Sequence, residues 1–393
     1  MSLDSQVASD RRSIVVDSHH PTRRQFVARS AGLLGLSACS SLSGLLGREA
    51  LGGDEGRGDE RCGADLKTAN DSVAFFLIGD THYLADKNET GRLDERSSAV
   101  TSRLIETLNR LPGTMIPETA GGGAVTAPRG VIHAGDIIDS GDKAGGPHPA
   151  MQKTEWAGFE ADFGLSGKEG KLKLPVFEVH GNHDSPHGAG LAIDEIKRRN
   201  KSRPGLAAVS SNGLHYSWNW GGVHFVNLGI VVGSTEETKR RRRYAPLDSL
   251  QFLVDDLKQH AADGKPVVIT HHVDMARYSL PCDPTEEAKS HEWDPCDVQA
   301  YYRAIKDYRV AGILYGHTHV RNVYRWNGTQ DTKQATGLPV FNTDNVSHFS
   351  GPTQALFYCE ITAKQLVMRE YSTKDSWESG QWTPQVWKVD LAG

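Results

Sequence analysis

The sequence predicts an α/β fold: a four-layer αββα sandwich of two mixed β-sheets flanked by helices. Three observations carry that prediction. From Val73 to Asn200, short apolar runs alternate with segments whose apolar residues recur at helical spacing, the βαβ rhythm of strands that run parallel. Beyond Leu214 hairpin signals and short strands take over, and the last part of the chain predicts a second, mostly antiparallel sheet. Asp, Asn and His recur just past strand ends, where an open sheet gathers functional groups.

Val73 to Ile78 is an apolar strand that stops at Gly79-Asp80, and Leu93, Val100, Leu104, Leu108 and Leu111 mark the helix that returns the chain. Pro112 to Pro128 is rich in Gly and Pro and reads as a loop insertion. Gly130 to Ala134 is the second strand. Trp156, Phe159 and Phe163 share one helical face that packs. Leu174 to Val179 is the third strand, followed by a helix from Ala189 to Asn200. Gly221-Gly222 joins the strands Leu214–Trp220 and Val223–Leu228 as a hairpin. Leu247 to Ala261 is an amphipathic helix, Pro266 to Thr270 a strand, Val298 to Tyr308 a helix and Val310 to Tyr315 a strand. Five further short strands follow: Val320–Trp326, Leu338–Asn342, Ala355–Ile361, Leu366–Tyr371 and Val386–Val389.

The bulk properties narrow the function classes. The chain has 393 residues and a net charge of -5, and its pI near 6.4 gives no general attraction to nucleic acid. No segment reaches the roughly 18 uninterrupted apolar residues of a membrane span. Residues 1–39 read as a twin-arginine signal peptide: Arg23-Arg24 precede the small, apolar run Ser30 to Ala38, and Leu36-Ser37-Ala38-Cys39 resembles a lipobox. Residues 40–70 read as a flexible linker, and residues 71–393 as the folded domain. This order implies export to a periplasmic or other extracytoplasmic compartment, with Cys39 as a lipid anchor to the membrane. Cys62, Cys282, Cys296 and Cys359 then remain, an even number compatible with disulfides, with Cys282 and Cys296 flanking one loop.

Five blocks carry the chemistry: Asp80-Thr81-His82, Asp136 to Asp139, Gly181-Asn182-His183-Asp184, His271-His272, and Gly316-His317-Thr318-His319. Each follows a strand, so folding brings them to one sheet edge. Carboxylate, amide and imidazole oxygens and nitrogens suit manganese, zinc or iron, and the absence of cysteine argues against a structural zinc knuckle. The ligands are too many for one four-coordinate ion. They suit two ions sharing a carboxylate.

These blocks, in this order, resemble the calcineurin-like metallophosphoesterase superfamily, which includes purple acid phosphatases, class III cyclic-nucleotide phosphodiesterases and the Ser/Thr protein phosphatases. The resemblance spans Val73 to Asn322. It implies hydrolysis of a phosphomonoester or phosphodiester by a hydroxide held on two metal ions. By the same resemblance Asp80, His82 and His319 hold one ion, Asn182, His271 and His317 the other, and Asp136 bridges both. His183 is then the general acid, paired with Asp139. His271 is chosen over His272 as the first residue beyond its strand.

Other readings stand beside this one. A non-catalytic, metal-binding exported lipoprotein would need no proton donor, which His183 and Asp139 supply. The block order discounts an amidase, and the want of a basic groove a nuclease. His133 and His180 read as satisfied core residues, whereas His187 and His348 could reach substrate. Lys239 to Arg243 reads as a solvated loop, and Leu280 to Asp297 as a lid that shapes specificity.

Overall fold

The computed structural model describes residues 72–236, 240–279, 285, 291–348 and 353–391. The leader with Arg23, Arg24 and Cys39, the linker, Cys62 and Cys282 lie outside them. In chain order the elements are β1 (Val73–Ile78), α1 (Glu95–Arg110), β2 (Val131–His133), α2 (His148–Asp162), β3 (Val176–Glu178) and α3 (Leu191–Ser202). Then come β4 (Leu206–Val209), β5 (Tyr216–Trp220), β6 (Val223–Asn227), α4 (Ser249–His260), β7 (Val267–Thr270), α5 (Pro295–Ile305) and β8 (Val310–Tyr315). The chain closes with β9 (Asn322–Trp326), β10 (Leu338–Asn342), β11 (Gln354–Ile361), β12 (Gln365–Thr373) and β13 (Gln381–Asp390).

Two mixed sheets form, as expected, but the closing strands do not make a sheet of their own. One sheet runs β13-β12-β11-β1-β2-β3 and the other β4-β5-β6-β7-β8-β10-β9. The reason is that β1 has two edges to fill: β2 pairs parallel on one, and β11 pairs antiparallel on the other with Phe75 opposite Cys359. β10 likewise adds to β8 in parallel.

Side-chain alternation sets the layers. Along β1, Phe75 and Leu77 enter a core shared with Trp218, Phe225, Val268, Leu314 and Phe341 of the other sheet. Phe76 and Ile78 face the opposite way, onto Leu104 and Leu108 of α1, Phe159 of α2 and Ile193 of α3. Across the second sheet, Val267 and Ile269 pack on Leu253 and Leu257 of α4 and on Val298 and Tyr301 of α5. The result is the predicted order of helix, sheet, sheet, helix.

Helix starts follow capping chemistry. The Asp94 carboxylate accepts from the Ser97 N–H at 2.9 Å, and Asp294 caps α5 by accepting from the Cys296 N–H at 2.9 Å with Pro295 in the first turn. Cys296 is disulfide-bonded. Cys359 is a buried free thiol. Among the described residues no helix is long and apolar enough to cross a membrane.

Candidate metal centre

The five blocks converge where the parallel strands end. Asp136 stands in the middle and belongs to two clusters of potential ligand atoms: one with Asp80, His82 and His319, the other with His272 and His317. In the first cluster, His82 Nε2 lies 3.1 Å from His319 Nε2 and 3.6 Å from Asp136 Oδ2, while His319 Nε2 lies 3.5 Å from Asp80 Oδ1. In the second, His272 Nε2 lies 3.1 Å from Asp136 Oδ2 and 3.2 Å from Asn182 Oδ1. Asn182 thus lies on the His272 side.

Strand β7 corrects the choice of histidine. Val267 and Ile269 face α4 and α5, and alternation carries His271 onto that same side, against the rings of Trp293 and Tyr301 at 5.3 and 5.5 Å. There it is fully buried away from Asp136, and burial lowers its pKa to about 3. His272 follows Val268 and Thr270 to the other side. Its Nδ1 sits 2.7 Å from the Ala134 carbonyl, which aims Nε2 at Asp136. Burial opposes its protonation, but the carboxylates of Asp136 and Asp80 raise its pKa to about 9.

The pairing of His183 with Asp139 also differs from expectation. His183 Nδ1 approaches the Asp139 backbone carbonyl at 3.3 Å and the Asp142 carboxylate at 3.8 Å. The Asp139 carboxylate instead accepts from Lys143 Nζ at 2.8 Å and lies 3.4 Å from His82 Nδ1. Desolvation would raise Asp139, yet the His82 and Lys143 partners hold it far below its ordinary value.

The loops are shaped tightly around these groups. Asp184 gathers the turn by accepting from the N–H groups of Gly181, Ile137 and Ile138 at 2.7, 3.0 and 2.9 Å. The His183 N–H donates to Asp136 Oδ1 at 2.8 Å, and the His317 N–H to Asp80 Oδ1 at 2.9 Å. A Cβ at Gly181 would come within 2.2 Å of Asp136 Oδ1, so only glycine permits this approach. His133 holds the β1 exit through Thr81 Oγ1 at 2.9 Å, a core role as expected.

Sequence reasoning gave no role to Glu292. Its buried carboxylate lies 3.2 Å from His317 Nε2 and accepts from Arg277 at 3.1 Å. Burial would raise its pKa, but the His317 and Arg277 hydrogen bonds hold it at about 2. Its place near the end of the loop proposed as a lid was the available signal. The arginine run is not a solvated loop throughout: Arg240 is buried 3.7 Å from Asp294, and Arg242 pairs with Asp297 at 2.6 Å. A cavity of about 360 Å³ beside it is lined by His187, Arg240, Arg242 and Tyr244 among others.

The residues fit a pair of cations. Asp80 Oδ2 is buried without a hydrogen-bond partner inside a set of oxygen and imidazole donors. Asp80, His82, Asp136, His317 and His319 all have positive φ, between 44° and 73°, and among the described residues only Leu247, Asp248, Ser376 and Trp377 are other non-glycine cases. Left-handed backbone outside glycine is thus concentrated at the donor cluster, the kind of conformation that gathers at functional sites.

The family model for calcineurin-like phosphoesterase matches residues 73–321. Solved structures that align include a dimetal phosphatase from Danio rerio, 15% identical with a TM-score of 0.47, covering 81% of this chain and 99% of that one. A Vps29 single mutant from Entamoeba histolytica is 12% identical with a TM-score of 0.31, covering 81% and 99%. Vacuolar protein sorting 29 from Cryptosporidium parvum is 13% identical with a TM-score of 0.33, covering 81% and 98%. No curated protein matches the chain.

Proposed function

We propose, from the premise that this chain belongs to the calcineurin-like phosphoesterase family over residues 73–321, that it hydrolyses phosphomonoesters or phosphodiesters by direct transfer to water. The observation that carries this reading is the double membership of Asp136 in two ligand clusters. Asp80, His82, Asp136 and His319 would hold one ion, and Asp136, Asn182, His272 and His317 the other. When bound, two such ions acidify a water and neutralise charge on the phosphate. The metals proposed are manganese, zinc or iron.

The chain's own residues supply the rest. Asp136 fixes the spacing between the two positions, and the neutral Asn182 amide adds a donor without cancelling positive charge. Glu292 holds His317 by its outer nitrogen, which fixes the ring's orientation. His183 stands at the mouth of the site with its side chain 33% exposed. A carbonyl only accepts, so the Asp139 carbonyl places a proton on His183 Nδ1 and leaves Nε2 to carry the transferable one. His183 Nε2–H is thus the donor to the departing alkoxide.

The test is a panel of phosphomonoesters, diesters and nucleotides offered to the mature chain reconstituted with manganese, zinc or iron. Hydrolysis of one class supports the reading. Metal uptake without hydrolysis of any ester under any metal supports a non-catalytic binding protein instead. We also propose export, on the twin-arginine leader and the lipobox-like Cys39. Arg23→Lys with Arg24→Lys should retain precursor inside the cell, and unchanged export contradicts it.

A further inference from the structure

The side of the centre that carries Asp80, His82 and His319 is more crowded with imidazole than the family resemblance implies. His348 comes from the segment after β10, far from all five blocks, yet its ring centroid lies 4.6 Å from that of His82 and 4.6 Å from that of His319. A ligand nitrogen of each of the three rings lies within 4.8 Å of those of the other two.

The segment that delivers His348 is built in. The Val346 N–H donates to the Gly79 carbonyl at 3.2 Å, and Ser347 Oγ donates to the Thr81 carbonyl at 2.7 Å. Both acceptors flank Asp80 in the block that leads to His82. On the far side, Val346 is fully buried and its carbonyl accepts from Trp377 Nε1 at 2.5 Å, while Gln354 donates to the His348 carbonyl at 3.4 Å. The loop is therefore fastened to the ligand-bearing turn immediately before its histidine.

Resting on the two-metal reading above, we propose that His348 is a further protein ligand of the ion held by Asp80, His82, Asp136 and His319. That position then offers three imidazoles and two carboxylates, whereas the other offers two imidazoles, one carboxylate and one amide. The two positions are chemically unequal. Imidazole-rich sites favour zinc, cobalt and iron over manganese, so the His348 side is the tighter one for those ions.

The test uses the full-length chain stripped of metal and titrated with cobalt(II), with uptake followed by calorimetry and by visible absorption. The wild type is expected to take two equivalents. His348→Ala should weaken one of them by at least about tenfold and alter the absorption of that ion alone. Two equivalents bound with wild-type affinities and spectrum in His348→Ala overturn this inference and leave the two-metal reading standing. Fewer than two equivalents in the wild type overturn both. Should the variant fail to fold, the cobalt-loaded wild type decides: paramagnetically shifted imidazole signals from His348 beside those of His82, His272, His317 and His319 are expected. Absence of the His348 signals contradicts the proposal.

Discussion

Strand β3 joins two buried ionic clusters of opposite character. At its end Glu178 accepts from Arg199 Nε at 2.7 Å and from Arg203 Nη2 at 2.6 Å, with neither side chain above 1% exposed. Arg199 also lies over the Phe159 ring at 5.2 Å and Arg203 over the Tyr216 ring at 4.9 Å. No buried side-chain atom of that triad lacks a partner, and its backbone is ordinary. A few residues on, Asn182 and His183 enter the other cluster, where Asp80 Oδ2 is orphaned and five donor residues have positive φ. Closed pairing on relaxed backbone holds a fold together. Open valence on strained backbone marks a place meant for something else.

Substitutions should separate the two clusters cleanly. The largest effect is expected at His183: His183→Ala should lower turnover roughly 10²–10⁴-fold. Metal content should stay intact, because its backbone N–H, and not its ring, contacts Asp136. Loss of metal measured by elemental analysis would contradict a pure proton-donor role. In the closed cluster, Glu178→Gln leaves two buried guanidiniums under-paired and should cost about 3–5 kcal/mol in denaturant unfolding of the metal-free chain. Its metal stoichiometry should be unchanged.

The same carboxylate makes a pH prediction. Desolvation raises Glu178, but the charges of Arg199 and Arg203 outweigh it and depress its pKa from 4.5 to about 2. A depressed folded value means stability that is complete above pH 4.5 and is lost as pH falls through about 2. Unfolding midpoints of Glu178→Gln should therefore vary less with pH across that window than those of the parent. Parallel curves would contradict the pairing.

Smaller effects sharpen the boundary of the open cluster. Glu292→Gln should weaken metal binding about 10–100-fold by loosening His317, with little change in unfolding. Smallest of all, His271→Leu should leave metal stoichiometry untouched and change stability by less than about 1.5 kcal/mol, as a packing swap beside Trp293 and Tyr301. Loss of an ion in that variant would restore His271 to the centre.

How much of this was legible depended on whether the signal was local. β1, β8 and β10 coincide with the sequence prediction because each is an apolar run with clear stops. α5 starts earlier than predicted, at Pro295, since the Asp294-Pro295 cap outranks the first apolar residue. β4 was not foreseen and β13 is longer than predicted, both being partly exposed strands at sheet edges with diluted alternation. The pairing of β11 with β1 spans most of the domain, and no local pattern encodes it. His272 was recoverable: extending the alternation of Val267 and Ile269 by one step assigns His271 to the helix side. Glu292 and His348 were legible only in part: the loop holding Glu292 and the reach of His348 could be read, but their contacts with His317, His82 and His319 join segments far apart in sequence, which no local pattern encodes.

The central claim is that Asp136 stands between two cations. Anomalous diffraction from crystals grown with zinc or manganese tests it most directly. Two peaks about 3.5–4 Å apart are predicted, one beside Asp80, His82 and His319 and the other beside Asn182, His272 and His317. One peak alone, or none near Asp136, would contradict the account.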